Sequence, residues 1–149
     1  MAVIFSDSTE VIDWSELAAL YRAASLGNKS AESLKTVFAN SRYRCFALAQ
    51  GRLIGVGRAL ADGADCSYIC DVAVLPGHQG SGIGKEIVAR LVALSRGHRK
   101  IILYSVPGKE AFYQRFGFCR MRTAMAIFQN QEEAAACGYL EKTDRPLPG

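Results

Sequence analysis

Apolar residues recur at two spacings along the chain, every second position and every third or fourth, and the switches between them mark out the elements. The run Val3–Ser6 predicts a short strand. Asp13 and Glu16 then have the spacing of a helix cap and its third-position partner. They open a helix through Ala24 with Trp14, Leu17, Tyr21 and Ala24 on one stripe. The stretch GNKS breaks the chain, and Leu34, Val37 and Phe38 mark a second short helix. "CFALAQ" and "LIGVGRALA" follow as an antiparallel hairpin about Gly51-Arg52, and "SYICDVAVL" is a third strand that stops at Pro76-Gly77.

From Ile83 the period becomes helical, with Ile83, Ile87, Val88, Leu91 and Leu94 on one face. Gly97 stops that helix, and "KIILY" at 100–104 reads as a buried strand, so strand, helix and strand imply a parallel pair joined by a crossover. "GKEAFYQRFGF" is a shorter helix with Phe112 and Phe116 on one side and Gly117 as its left-handed stop. "CRMRTAMAIF" alternates Met121, Thr123, Met125 and Ile127 against Arg120, Arg122, Ala124 and Ala126, the pattern of a last strand. One helical turn is expected at "EEAAA", with an irregular Pro-containing tail after it. The expectation is therefore an α/β (α+β) mixed sheet in a single domain spanning 1–149. It comprises two N-terminal helices, an antiparallel hairpin, and then strand-helix-strand-helix-strand.

Composition narrows the function classes. Half of the 149 residues are apolar, yet no run approaches the roughly 18 residues of a membrane span, so no membrane role is expected. The N-terminus lacks the basic start and apolar stretch of a signal peptide, which gives a cytoplasmic expectation. The net charge of +4 comes from scattered basic residues, with no basic helix or aromatic-basic alternation, so no nucleic-acid partner is expected. Cys45, Cys66, Cys70, Cys119 and Cys137 are odd in number and are expected as free thiols. Cys66 and Cys70 lack further ligands at metal-binding spacing, so no metal is expected. His78 and His98 are expected to be solvated.

The stretch "LPGHQGSGIGKE" at 75–86 carries the chemistry. A P-loop would need glycine at Gln79 and a hydroxyl at Glu86, and a dinucleotide fingerprint would need glycine at Lys85, so both fail. The pattern Q/R-x-x-G-x-G/A is met by Gln79, Gly82 and Gly84, between a strand and an amphipathic helix. Glycines at a helix start let successive N–H groups face an anion while the helix dipole adds positive potential, so a pyrophosphate can be held by backbone. With this motif, and with "AFYQRFGF" at 111–118 similar to A-x-x-Y-x-x-x-G-F, whose Y-x-x-x-G-F part Tyr113, Gly117 and Phe118 supply, the chain resembles the GNAT superfamily of acyl-CoA-dependent N-acetyltransferases over about residues 43–128.

The resemblance implies acetyl-CoA as co-substrate and transfer of its acetyl group to a primary amine. Gln79, Gly80, Ser81, Gly82, Ile83, Gly84 and Lys85 would hold the cofactor's pyrophosphate. Backbone N–H groups of Val72, Ala73 and Val74, at a bulge, would hold the acetyl carbonyl, with the strand splayed from its parallel neighbour to admit the pantetheine arm. Tyr113 corresponds to the family's general acid, which protonates the departing thiolate. Asp71, at the start of the bulge, is expected as the catalytic base or acceptor-binding carboxylate, or else as a structural hydrogen-bonding residue, with Glu110 as an alternative base. Val106 departs from the family, where many relatives place Asn.

Several acceptors stay open, small-molecule or peptide amines. "ICDVAV" is similar to the plant and cyanobacterial serotonin N-acetyltransferase group, and Trp14, Tyr21 and Tyr68 would wall an aromatic amine unless helix packing explains Trp14 and Tyr21. Relatives often pair through their late strands, so a homodimer through "CRMRTAMAIF" is expected. The alternative is an acyl-CoA-binding sensor or interaction module without turnover.

Overall fold

The computed structural model describes residues 2–141, so the expected Pro-containing tail lies largely outside the described residues. The chain divides into two compact units, Met1–Leu103 and Tyr104–Gly149.

The first unit is a mixed sheet with helices. In chain order it holds β1 (Val3–Ser6), α1 (Trp14–Ala23), α2 (Ala31–Ala39), β2 (Tyr43–Ala49), β3 (Arg52–Ala61), β4 (Cys66–Val74), α3 (Ile83–Ser95) and β5 (Lys100–Ile102). The strands lie in the order β1-β2-β3-β4-β5, antiparallel except for the parallel pair β4 and β5. Asp13 caps α1 by accepting from the N–H groups of Ser15 and Glu16, and Ser30 caps α2 through Ser33. Glu16, expected to complete the cap of its own helix, instead accepts from the backbone N–H of Leu53 at 2.6 Å. The β2–β3 turn also sits one residue earlier than expected. Gln50 and Gly51 are its central pair, both with positive φ, and Ala49 faces Arg52.

Alternation along β3 assigns the helices to the two faces of the sheet. Val56 is fully buried in a cluster with Leu17, Leu20, Tyr21, Leu34, Phe38 and Phe46, which puts α1 and α2 on one face. Phe38 is the centre of that cluster, with the rings of Trp14, Tyr21 and Phe46 at 6.1, 6.5 and 5.4 Å. The next residue, Gly57, points to the other face, where a Cβ would come within 2.6 Å of Ile87 and 2.8 Å of Leu91. Helix α3 therefore lies on β3 at a distance that only glycine permits. Ile83, Ile87, Val88 and Leu91 are buried as the helical spacing predicts, whereas Leu94 is 47% exposed. At the far end of α3, Ser67 on β4 and Ser95 join their buried hydroxyls at 2.8 Å, and Ser95 donates to the carbonyl of Leu91.

The second unit holds α4 (Glu110–Gln114) and α5 (Gln131–Ala136), the latter at the expected "EEAAA" turn. Phe112 and Phe116 meet edge to face at 5.6 Å, and Gly117 has a left-handed φ of 95°. The expected last strand is absent. Residues 119–128 form no ladder, and Met125 and Ile127 are 97% and 88% exposed. Tyr104 packs edge to face on Phe128 and Tyr139. Among the described residues no helix is long and apolar enough to cross a membrane.

Gly57→Ala should destabilise the fold by about 1–3 kcal/mol, the usual cost of overpacking, read as a lower denaturation midpoint. An unchanged midpoint would show that α3 can lift from β3 without loss.

Candidate functional site

Strand β4 carries one residue more than its neighbour. Val56 faces Ala73 and Arg58 faces Cys70, so Asp71 and Val72 together oppose Gly57, and Asp71 has a φ of +54°. This is a β-bulge with a left-handed residue, at the position expected for it, and a bulge takes backbone groups out of the regular ladder. The parallel neighbour stops short of it. β5 pairs with β4 only over Cys66–Tyr68, and from Ile69 to Val74 the strand has β3 alone as ladder partner among the described strands. The expected splay is thus present, and β5 is shorter than the "KIILY" pattern suggested.

The bulge is held from the α1 face. Asp71 Oδ2 accepts from Tyr21 Oη at 2.9 Å and from Arg58 Nε at 2.8 Å, and another Arg58 nitrogen donates to Ser41 Oγ at 3.3 Å. Burial is the largest single influence and works against the Arg58 charge, but Asp71 together with Cys70 and Tyr21 outweighs it and holds the guanidinium pKa above its ordinary value. Tyr21, fully buried, has its phenol pushed far up, first by burial and then by the Asp71 charge. Beside the bulge, burial pushes the Cys70 thiol up to about 11, so it offers no thiolate at neutral pH. Sequence reasoning missed this network because Tyr21 also packs as a core residue. The signal was Arg58 itself, a charge inside an otherwise apolar strand, which requires a partner.

After Val74 the chain makes one tight turn at Pro76–His78 and enters the glycine loop. Gln79 folds back, its side-chain amide donating to the carbonyl of Val74 at 3.1 Å, and Ser81 Oγ donates to the carbonyl of His78. Gly80 and Gly82 are left-handed, at φ 80° and 86°, and nothing lies within 4 Å of where a Cβ would stand on either. Gly82 is the N-cap of α3 and supplies no side-chain cap, so the first-turn N–H groups of Ile83, Gly84 and Lys85 have no partner from a capping side chain. Lys85 is exposed. These residues fit an anion approached by backbone. A cleft of about 430 Å³ lies elsewhere: α1, the β2–β3 turn, Leu75 and His78 line it, and none of Gln79–Lys85 does.

His98, expected to be solvated, has both ring nitrogens engaged. Nε2 accepts from the N–H of Gly63 and Nδ1 faces the carbonyl of Ser95 at 2.8 Å, a pairing that requires the neutral ring with its proton on Nδ1. With the Lys100–Asp65 ion pair it ties down the end where β4 and β5 do pair. In the second unit Tyr113 lies on α4 between the rings of Phe112 and Phe118, and burial raises its phenol pKa. Glu110 is engaged by Arg120 and by the N–H of Gly108.

A bulged strand that leads into a glycine-capped helix beside a splayed parallel pair defines a class, and comparison agrees with it. Residues 11–118 match the model of the acetyltransferase (GNAT) family, and the chain belongs to that family. Among curated relatives, it is 41% identical over 71 residues to the histone acetyltransferase TAP1 of Glycine max, covering 46% of this chain and 31% of the relative. It is 35% identical over 88 residues to the chloroplastic serotonin N-acetyltransferase 2 of Oryza sativa subsp. japonica, covering 56% of this chain and 44% of the relative. The chain thus spans less than half the length of these two relatives. A probable acetyltransferase of meticillin-resistant Staphylococcus aureus has the same fold, with a TM-score of 0.77 at 21% identity over 87% of this chain and 99% of that one.

The raised Tyr21 phenol sets a pH dependence. A group whose folded pKa exceeds its unfolded value contributes stability that is complete below the unfolded value, about 10 for tyrosine, and lost as pH rises beyond it. Stability should therefore fall above pH ~10, and Tyr21→Phe should flatten that fall while lowering stability at neutral pH. Equal alkaline slopes in denaturant titrations of the two proteins would contradict the pairing.

Proposed function

We propose that the chain transfers an acetyl group from acetyl-CoA to a primary amine of a small molecule or peptide. One observation carries this reading: β4 bears a left-handed bulge where its parallel neighbour has left it, and leads within a few residues into open glycines at the start of α3. An anionic carrier with a reactive carbonyl at the end of a long arm suits such a strand. Backbone N–H groups from Gly80 to Lys85, with Gln79 buttressing the loop, would take the pyrophosphate, and those of Val72 and Val74 the thioester oxygen, while Ala73, also expected there, turns its N–H toward Val56 on β3.

The amine nitrogen attacks the acetyl carbon, the C–N bond forms and the C–S bond breaks. The amine gives up a proton to water, and the thiolate takes one from Tyr113. Burial raises the Tyr113 phenol pKa and makes it a weaker acid than a free tyrosine, so its role as donor rests on placement beside the departing sulfur rather than on acidity. Asp71, expected as the base, has its Oδ2 engaged by Tyr21 and Arg58, which favours a different role argued below. No metal enters the scheme. The reading puts the reaction in the cytoplasm or, following the printed location of the rice relative, in a plastid.

The test is an amine screen with thiol detection. The relatives' names supply its first two arms, a histone peptide and an arylalkylamine. Amine-dependent thiol release supports the reading; tight acetyl-CoA binding with no release for any amine would make the chain an acyl-CoA sensor instead.

Tyr113→Phe should lower kcat by ~10²–10⁴-fold and flatten the alkaline limb of the pH profile, with acetyl-CoA affinity unchanged. Full activity would leave protonation to solvent. We also assign the exposed segment 119–128, with its bare Met125 and Ile127, to a contact between two copies of the chain. Light scattering should give a dimer mass, and a monomer at high concentration would contradict it.

A further inference from the structure

Asp71 sits where an aspartate has a cost. Its φ of +54° is a conformation that glycine enters freely and other residues enter under strain. An aspartate tolerates it somewhat better than most, but it must be held there by its surroundings. The surroundings converge from three elements. Tyr21 reaches Oδ2 from α1 at 2.9 Å and Arg58 reaches the same oxygen from β3 at 2.8 Å. Arg58 is itself held by Ser41, just past α2, whose hydroxyl donates to the carbonyl of Val37 at 2.8 Å. The Arg58 and Asp71 side chains are only 14% and 20% exposed. A carboxylate serving as base must receive a proton; Oδ2 already accepts an N–H and an O–H, so a proton taken up by Asp71 would have to go to Oδ1.

We propose that the Tyr21–Asp71–Arg58 bridge is a positioning device for acyl transfer, which holds Asp71 left-handed and thereby aims the N–H groups of Val72 and Val74 at the acetyl carbonyl. Tyr21 and Arg58 are positioning residues that act through Asp71 and touch neither the thioester nor the amine. The assignment rests on the acetyl-transfer reading above. It makes the side chain of Asp71 replaceable by whatever restores the backbone, which distinguishes it from a base.

The experiment compares Asp71→Gly, Asp71→Ala, Tyr21→Phe and the Asp71→Gly, Tyr21→Phe double variant. The probe is acetyl-CoA carrying ¹³C at the carbonyl, and its stretching frequency in the bound state reads the hydrogen bonds it receives. In the unaltered chain the stretch should move to lower frequency on binding. Asp71→Gly, which enters the left-handed conformation without strain, should keep more of that displacement and of kcat than Asp71→Ala. Asp71→Ala should lose most of the displacement, with kcat lower by about 10²-fold, the loss usual for a carbonyl donor. Tyr21→Phe, the mildest change should Asp71→Ala fail to fold, should reduce the displacement in the original background and change nothing once residue 71 is glycine. Equal losses in Asp71→Gly and Asp71→Ala would overturn the proposal and return Asp71 to the chemistry. A full displacement in Asp71→Ala would overturn it too. Failure of the unaltered chain to bind acetyl-CoA is a separate result, visible before any variant is made, and would remove the proposed function and this assignment together.

Discussion

One extra residue in β4 is the constraint on which the first unit turns. Asp71 and Val72 share the place opposite Gly57, and the two sides of the sheet treat them differently. On the α1 face the Asp71 carboxylate is gripped by Tyr21 and Arg58. On the α3 face Gly57 has no side chain, so Ile87 and Leu91 close to within 2.6 and 2.8 Å of where one would stand, with Val72 at 3.5 Å. A left-handed non-glycine residue costs of order 1–3 kcal/mol. A half-buried ion pair is a poor source of net stability, because the desolvation of both charges offsets their attraction. What such a pair does supply is direction, and that suits a site whose donors must be aimed before substrate arrives.

The remainder of the unit keeps this strand accessible. β4 is paired with β5 only over its own first residues, Cys66–Tyr68, and that end is secured by His98 between Gly63 and Ser95 and by Lys100 on Asp65. Asp62 strengthens the same corner by accepting the N–H groups of Ala64, Asp65 and Cys66, which pulls its pKa down to about 2. The sheet is thus fastened at one end of the parallel pair and open at the other, where the bulge and the glycine loop follow in sequence.

Most of this frame was legible in the chain because local patterns dictate it. Asp13 caps its helix as its type and position require, the stripe from Ile83 to Leu91 faces inward, and Gly117 is left-handed as expected. The bulge was expected only through the family pattern, since nothing in "ICDVAV" announces a left-handed aspartate. Its partners were hidden by distance, for Tyr21 and Arg58 reach it across the fold and no spacing rule connects them. The last expected strand failed for a different reason. Alternation at Met121, Thr123, Met125 and Ile127 says which face a strand would bury, but a strand exists only where an edge accepts it, and the described sheet has no ladder there. Leu94 fell outside the core because the last turn of α3 presents Ser95, fully buried against Ser67 of β4, to the sheet instead.

The central claim is that one strand presents two backbone sites, a loop for the carrier's pyrophosphate and a bulge for its acyl carbonyl. Amide NMR of the chain titrated separately with coenzyme A and acetyl-CoA tests it directly. Both ligands should shift the amides of Gly80, Ser81, Gly82, Ile83, Gly84 and Lys85, whereas those of Val72 and Val74 should shift further with the acetylated form alone. Identical shifts at Val72 and Val74 with both ligands, or a loop that responds to neither, would contradict the account.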